Sequence, residues 1–242
     1  MFVQRLLKLY QRRKVAAQLG VRFERSATFR LPNDVVINGC RHHLSLPEEN
    51  GVKMAFIDLL LDDCYGCKNV LQQPRTVLDI GGNVGLFGIT ARAAFPNATI
   101  HVYEPNPHLE KYLKVQGEAG GFQYFMDAVG LEDGKVLLNF LEDAVLTRSE
   151  VSQGGNIDQI AFRRAIEKIG GHVGFLKMDC EGGEWLLLED IESWQKVQHL
   201  SMEYHLWDHH TETEVLSKVR GLGFNILSHT PLGNFGLIIA AR

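Results

Sequence analysis

The segment Thr76–Phe95 constrains this chain most. A short, mostly apolar strand, Thr76–Ile80, passes directly into Gly81-Gly82-Asn83-Val84-Gly85, and Leu86–Phe95 then has helical spacing up to Pro96-Asn97. A strand that turns through glycines into a helix is the opening unit of a parallel sheet. The glycines let the backbone turn sharply and approach a ligand, and the helix offers its first N–H groups to that ligand. The same alternation continues down the chain. Strands are expected at Ala98–Tyr103, about 122–129, Val173–Asp179, Leu200–His205, Phe224–Ser228 and Phe235–Ala241. Helices are expected at 51–63, about 107–118, Ile157–Ile169, Glu184–Gln195 and Thr211–Gly221, and Val136–Leu141 reads as a hairpin partner or insertion. Such a chain folds as a mostly parallel, doubly wound sheet, with its ligands at the carboxyl ends of the strands.

The charges say which ligand. A dinucleotide loop would read G-x-G-x-x-G, and counting from Gly81 or Gly82 fails. Asp79 stands just before the loop, where a carboxylate repels pyrophosphate but suits a cation. Glu104, 25 residues later at the end of the next strand, can accept hydrogen bonds from a ribose diol. S-adenosylmethionine carries an ammonium and a sulfonium and no phosphate, so Asp79, Gly81, Gly82, Asn83, Gly85 and Glu104 suit it better than NAD. Asp127 and Ala128, at the end of the third strand, are placed to read the adenine.

The second cluster follows from strand alternation. Phe175, Lys177, Asp179 and Glu181 share one face, and Glu203 and His205 share a face of a later strand. A central parallel strand is normally apolar on both faces, so Lys177 needs a neutralising partner, for which Asp179 and Glu203 are the candidates. Methyl transfer to a hydroxyl needs an acceptor held in line and a proton sink. His205 is the first choice of base because its ordinary pKa lies near neutrality, with Glu203 or Asp179 orienting it. Lys177 is the second choice and would need a lowered pKa. Asp179, Glu181, Glu184, Glu203, His205 and Asp208 could also hold Mg²⁺, but Lys177 would compete with the ion, and no metal is assigned. Cys64-Tyr65-Gly66-Cys67 is a lone CxxC, and Cys40 with His42 and His43 completes a zinc set only at irregular spacing. It reads as chance.

These motifs resemble one family. Val77-Leu78-Asp79-Ile80-Gly81-Gly82-Asn83-Val84-Gly85 is similar to motif I of S-adenosylmethionine-dependent methyltransferases. Glu104-Pro105-Asn106-Pro107 resembles the acidic second motif of the FkbM family, and Phe175–Glu184 its distinctive K-x-D-x-E-G-x-E segment. Ser201–His205 resembles its E-x-H strand. The resemblance covers about 75–242. It implies a Rossmann-like class I methyltransferase fold: α/β, a mostly parallel seven-stranded sheet in the order 3-2-1-4-5-7-6 with the last strand antiparallel, and helices on both faces. It also implies an O-methyltransferase acting on a hydroxyl of a small molecule, sugar or natural product. Gly82 stands where the family commonly has alanine, and residues 142–172 lack its usual threonine–leucine–aspartate segment.

Length and composition fit one such domain, residues 71–242, with a small N-terminal helical or cap extension, residues 1–70. Four cysteines among 242 residues fit a reducing compartment, and a cytoplasmic protein is expected. The formal net charge of −4 hides an asymmetry: residues 1–30 hold eight Lys/Arg against Glu24, a lead of +7 on a body of −11. Phe2, Leu6, Leu7, Tyr10 and Ala17 suggest an amphipathic helix there. The favoured reading is a solvated helix packed on the domain; the other is peripheral membrane contact through residues 1–20. Two further functions stay open. One is nucleic-acid methylation, disfavoured because an acidic body repels phosphate and Asp179-Cys180-Glu181-Gly182 stands where an N-P-P-Y-like motif would be. The other is a non-catalytic cofactor-binding scaffold. A small-molecule or glycan acceptor and no nucleic acid are the expected partners; the sequence does not give the oligomeric state.

Overall fold

The computed structural model describes residues 2–22, 30–140, 147–150 and 155–242. In chain order the elements that place the site are α1 (Phe2–Gln18), β1 (Asp34–Ile37), β2 (Cys40–His43), α2 (Asn50–Phe56), β3 (Thr76–Ile80), α3 (Leu86–Ala94), β4 (Thr99–Tyr103), α4 (Glu110–Gly120), β5 (Gln123–Phe125) and β6 (Ala128–Gly130). They continue with β7 (Gly134–Phe140), β8 (Thr147–Glu150), β9 (Ile157–Ala161), α5 (Phe162–Lys168), β10 (Val173–Met178), α6 (Glu184–Leu187), α7 (Ile191–Trp194), β11 (Val197–His205), α8 (Glu212–Gly221), β12 (Asn225–Pro231) and β13 (Phe235–Ala241). Glu24 and Arg25 of the basic lead, and parts of 142–172, lie outside the described residues.

The main sheet has seven strands in the order β12-β13-β11-β10-β3-β4-β5. Read from β5, this is the 3-2-1-4-5-7-6 order, and β13 runs antiparallel to both its neighbours. The fold is therefore the Rossmann-like class I methyltransferase fold. Its centre is apolar by sequence: all six residues of β10 are buried, Lys177 among them. Two cores flank the sheet. One gathers Val77, Phe87, Phe95 and Phe175 with Ala16, Leu19, Val35 and Phe56, so these residues of the first seventy share a core with the glycine-loop helix. The other gathers Leu78, Met178, Trp194, Met202 and Tyr204.

Four expectations change. The strand expected over 122–129 is two: β5 joins the main sheet, and β6 pairs with β9 in a separate four-stranded sheet with β7 and β8. Ile157–Ala161 is therefore strand rather than helix, because β6 and β7 both pair with it. The helix expected over Glu184–Gln195 is two short helices, since Asp190 turns out of helical geometry and caps the second through the Ser193 N–H. The helix expected over 51–63 is α2 continued by a wider five-residue turn, Ile57–Leu61.

Candidate active site

The glycine loop is shaped by close approach. A Cβ on Gly81 would run into the Asp179 carbonyl, and one on Gly82 into Val102. The Gly81 and Gly82 N–H groups donate to the Tyr103 carbonyl, each at 3.0 Å. Gly81, Asn83 and Gly85 all have positive φ. Gly82, tightest against β4, sets how close the loop lies to that strand. The Asn83 N–H donates to Glu104 Oε2 at 2.7 Å and the Asn106 N–H to Oε1 at 2.8 Å. Glu104 is thus fixed where β4 ends. Burial pushes its pKa up to about 7, against the pull of those two N–H groups.

Lys177 finds a partner the sequence did not nominate. β10 pairs with β3 so that Lys177 lies beside Asp79, and Lys177 Nζ is 3.2 Å from Asp79 Oδ1. The ammonium also donates to the Gly81 carbonyl. Burial alone would lower the lysine pKa, but Asp79, Asp179 and Glu203 outweigh it and hold it above its ordinary value. Lys177 therefore stays charged, which removes it as a base. Burial raises Asp79 to about 6 despite the lysine.

Beyond β10 the chain turns through Glu181, which has positive φ, into α6. Tyr65 Oη donates to Asp179 Oδ2 at 3.3 Å. His205, at the end of β11, is ringed by carboxylates. Its Nδ1 lies 3.0 Å from Glu184 Oε1, and its Nε2 lies 3.4 Å from Glu181 and 3.7 Å from Glu203. Burial would lower the imidazole pKa; Glu184, Glu181 and Asp179 reverse this and raise it to about 9. Burial and the neighbouring Asp179 raise Glu181 to about 7 and Glu203 to about 8.

One cavity of about 740 Å³ joins the two clusters. Of the residues singled out in the sequence, Gly81, Gly82, Asn83, Glu104, Asp127, Ala128, Lys177, Asp179, Glu181 and Glu203 line it. Asp79, Gly85 and His205 do not. Asp79 lies beneath the loop, against Lys177. Gly85 packs against Gln116, Leu113 and Phe122 at the start of α3. His205 sits behind Glu181 and Glu203. The ligand atoms of Asp179, Glu181 and His205 fall within 4.8 Å of one another, the one such group among the described residues. The Cys40, Cys64 and Cys67 set is therefore not brought together, and all four cysteines are free.

The sequence missed one wall. Lys8, Asp58, Asp62, Cys64 and Tyr65, all from the first seventy residues, line the cavity, and so do Thr230, Leu232 and Phe235. No motif marks them. Arg12 holds Asp62 through two hydrogen bonds, at 2.7 and 2.6 Å, and Lys8 adds an ion pair at 2.9 Å. Burial opposes the Asp62 charge, but these cations prevail and keep its pKa below the ordinary value. Glu184 was visible in the K-x-D-x-E-G-x-E segment; its role as the partner of His205 was not.

No family model matches the chain. It is similar to the 31-O-demethyl-FK506 methyltransferase FkbM of Streptomyces tacrolimicus, at 25% identity over 242 aligned positions, covering 83% of this chain and 90% of that protein. It is also similar to methyltransferase 1 of Beauveria bassiana (strain ARSEF 2860), at 23% identity over 176 positions, covering 60% of this chain and 70% of that protein. Among solved structures, the precorrin-6y C5,15-methyltransferase of Geobacter metallireducens GS-15 superposes with a TM-score of 0.47 at 14% identity, covering 75% of this chain and 87% of that one.

Proposed function

We infer that this chain, an FkbM-type S-adenosylmethionine-dependent methyltransferase, methylates a hydroxyl of a small molecule, sugar or natural product. The observation that carries the reading is the single cavity, with a glycine loop and a clamped carboxylate at one end and near-neutral carboxylates at the other. The O-methylation named for the Streptomyces relative supports it.

The residues present fit the cofactor. Gly81 and Gly82 leave backbone where any Cβ would collide, and Glu104 stands buried at the end of β4. These residues, with Asn83, Asp127 and Ala128, would hold S-adenosylmethionine, and Asp79 would support the loop from beneath through Lys177. When bound, the cofactor supplies an electrophilic methyl group on a sulfonium. A cavity wall with Asp179, Glu181 and Glu203 favours that positive charge.

Glu203 is the proposed base, with Glu181 as its partner. Both line the cavity, and their pKa values of about 8 and about 7 suit proton uptake near neutral pH. The role moves from His205 for two reasons: the imidazole is behind the wall, and at about 9 it is charged at neutral pH. His205 then positions Glu203 and Glu181, and Glu184 positions His205. Residues 1–70 act as a cap over the acceptor end.

Transfer of labelled methyl from S-adenosylmethionine onto a panel of hydroxylated sugars and natural products tests this reading. Product on a hydroxyl, lost in Glu203→Gln with cofactor affinity retained by calorimetry, supports it. Transfer to RNA alone would overturn it, and so would cofactor binding with no turnover on any acceptor.

A further inference from the structure

The amino-terminal helix leaves large apolar side chains in solvent on the face turned away from the domain. At 3.6 residues per turn, Leu6, Leu7, Tyr10, Arg13 and Lys14 share one face of α1, and Leu9, Arg12 and Ala16 share the opposite one. The domain holds the second face: Ala16 is fully buried and Arg12 is bonded to Asp62. The first face is in solvent. Leu6 is 51% exposed, Leu7 56% and Tyr10 69%, and Arg13 and Lys14 beside them are exposed too. Ala16 and the Arg12–Asp62 bond hold the inward face, and a second set of large apolar side chains is left facing outward. A contiguous exposed apolar face is a binding feature rather than a random one.

We propose that α1 docks this chain on an anionic membrane surface through its exposed face. The apolar side chains would enter the boundary between headgroups and acyl chains, while Arg13 and Lys14, within the same face, would meet lipid phosphates. That pairing of leucines with cations fits a lipid surface better than nucleic acid, which offers phosphate but no apolar layer at its backbone. The helix has 17 residues, and no described helix is long and apolar enough to cross a bilayer, so it lies along the surface. The inward side fixes the helix to the domain: Lys8, beside Arg12, lines the cavity and pairs with Asp62, so the opposite face stays free to meet a surface.

Flotation of the full chain tests this without reference to methyl transfer. The probes are vesicles of phosphatidylcholine alone and of phosphatidylcholine with phosphatidylglycerol in equal parts. Binding is expected on the anionic vesicles only, and weaker in raised salt. Leu6→Asp with Leu7→Asp, and separately Arg13→Glu with Lys14→Glu, should each lower the partition coefficient by about tenfold or more. Cofactor affinity should be unchanged in both, which reports an intact fold. The proposal is overturned by absence of wild-type flotation or by equal binding to both vesicle types. Wild-type partition in both variant pairs also overturns it. So does a dimer that disappears in the Leu6/Leu7 variant while vesicles are ignored.

Discussion

The two ends of the cavity are built by different physics. The glycine-loop end is made of backbone: positive φ at Gly81, Asn83 and Gly85, carbonyls and N–H groups at hydrogen-bond distance, and Glu104 held by two of those N–H groups. Its parts sit within thirty residues of one another. The carboxylate end is made of side-chain charge: Asp79, Lys177, Asp179, Glu181, Glu184, Glu203 and His205 come from three strands, the turn after β10 and the start of α6. The first end is specified by shape and fails when a volume is added. The second is specified by mutual compensation and fails when a charge is removed.

The largest effect should come from adding one carbon at the first end. Gly81→Ala meets both a collision with the Asp179 carbonyl and a strained φ, and should cost at least about 4 kcal/mol or prevent folding. Gly134→Ala, which meets open space, should change stability by less than about 1 kcal/mol. Denaturant melts of both check this; a mild Gly81→Ala would break the contrast. At the other end, Lys177→Met should cost about 3–5 kcal/mol, because buried Asp79 loses the cation that compensates it and must take up a proton. Adding Asp79→Asn should recover part of that loss, since the charge that needed compensation is gone; additive losses in chemical denaturation would argue that the pair is not coupled.

Removing a proposed proton acceptor touches rate more than stability. Glu203→Gln should lower kcat by about 10²–10⁴-fold with the cofactor Kd within about twofold, read by steady-state kinetics and calorimetry. A fall confined to KM would assign Glu203 to acceptor binding instead.

The charged end should also titrate. Glu104, Glu181 and Glu203 keep protons in the native state to about 7 or 8, against an ordinary 4.5, and His205 keeps its proton to about 9, against 6.5. Folded pKa values above unfolded ones give stability that is present at low pH and lost as pH rises. For the carboxylates that loss runs from about 4.5 to 8, and for His205 from about 6.5 to 9. The Tm of the free protein should thus fall between pH 6 and 9. Turnover should rise through pH 7–8 as the proposed base loses its proton, so the two curves should cross. A Tm that climbs over that range would refute the protonated cluster. The smallest change is expected at the cap, where Arg12→Gln removes a partly exposed two-point bond to Asp62 and should cost about 1 kcal/mol by melting.

Much of this was legible in order of chain distance. The strand, loop and helix over 76–94 could be read because apolar spacing and glycines are local signals, and the seven-strand order followed from the resemblance. The strand read as Leu200–His205 ends where expected but starts three residues earlier, at Val197. The strand at Ile157–Ala161 was misread because Ile157, Ile160 and Ala161 fall at i, i+3 and i+4, a helical spacing, and only pairing with β6 and β7 decides it.

Sequence by itself determined which residue types the site would contain. A buried Lys177 must be compensated, a carboxylate must follow β4, and glycine must line a loop that close to its neighbours. Tertiary structure alone decided the pairings. Asp79 rather than Asp179 lies beside Lys177 because β10 and β3 are in that register. His205 is charged and stands behind the cavity wall because Glu184, from the helix after β10, reaches its other nitrogen. The proton affinity of each group depends on burial and on neighbours brought from elsewhere in the chain, and those are properties of the fold.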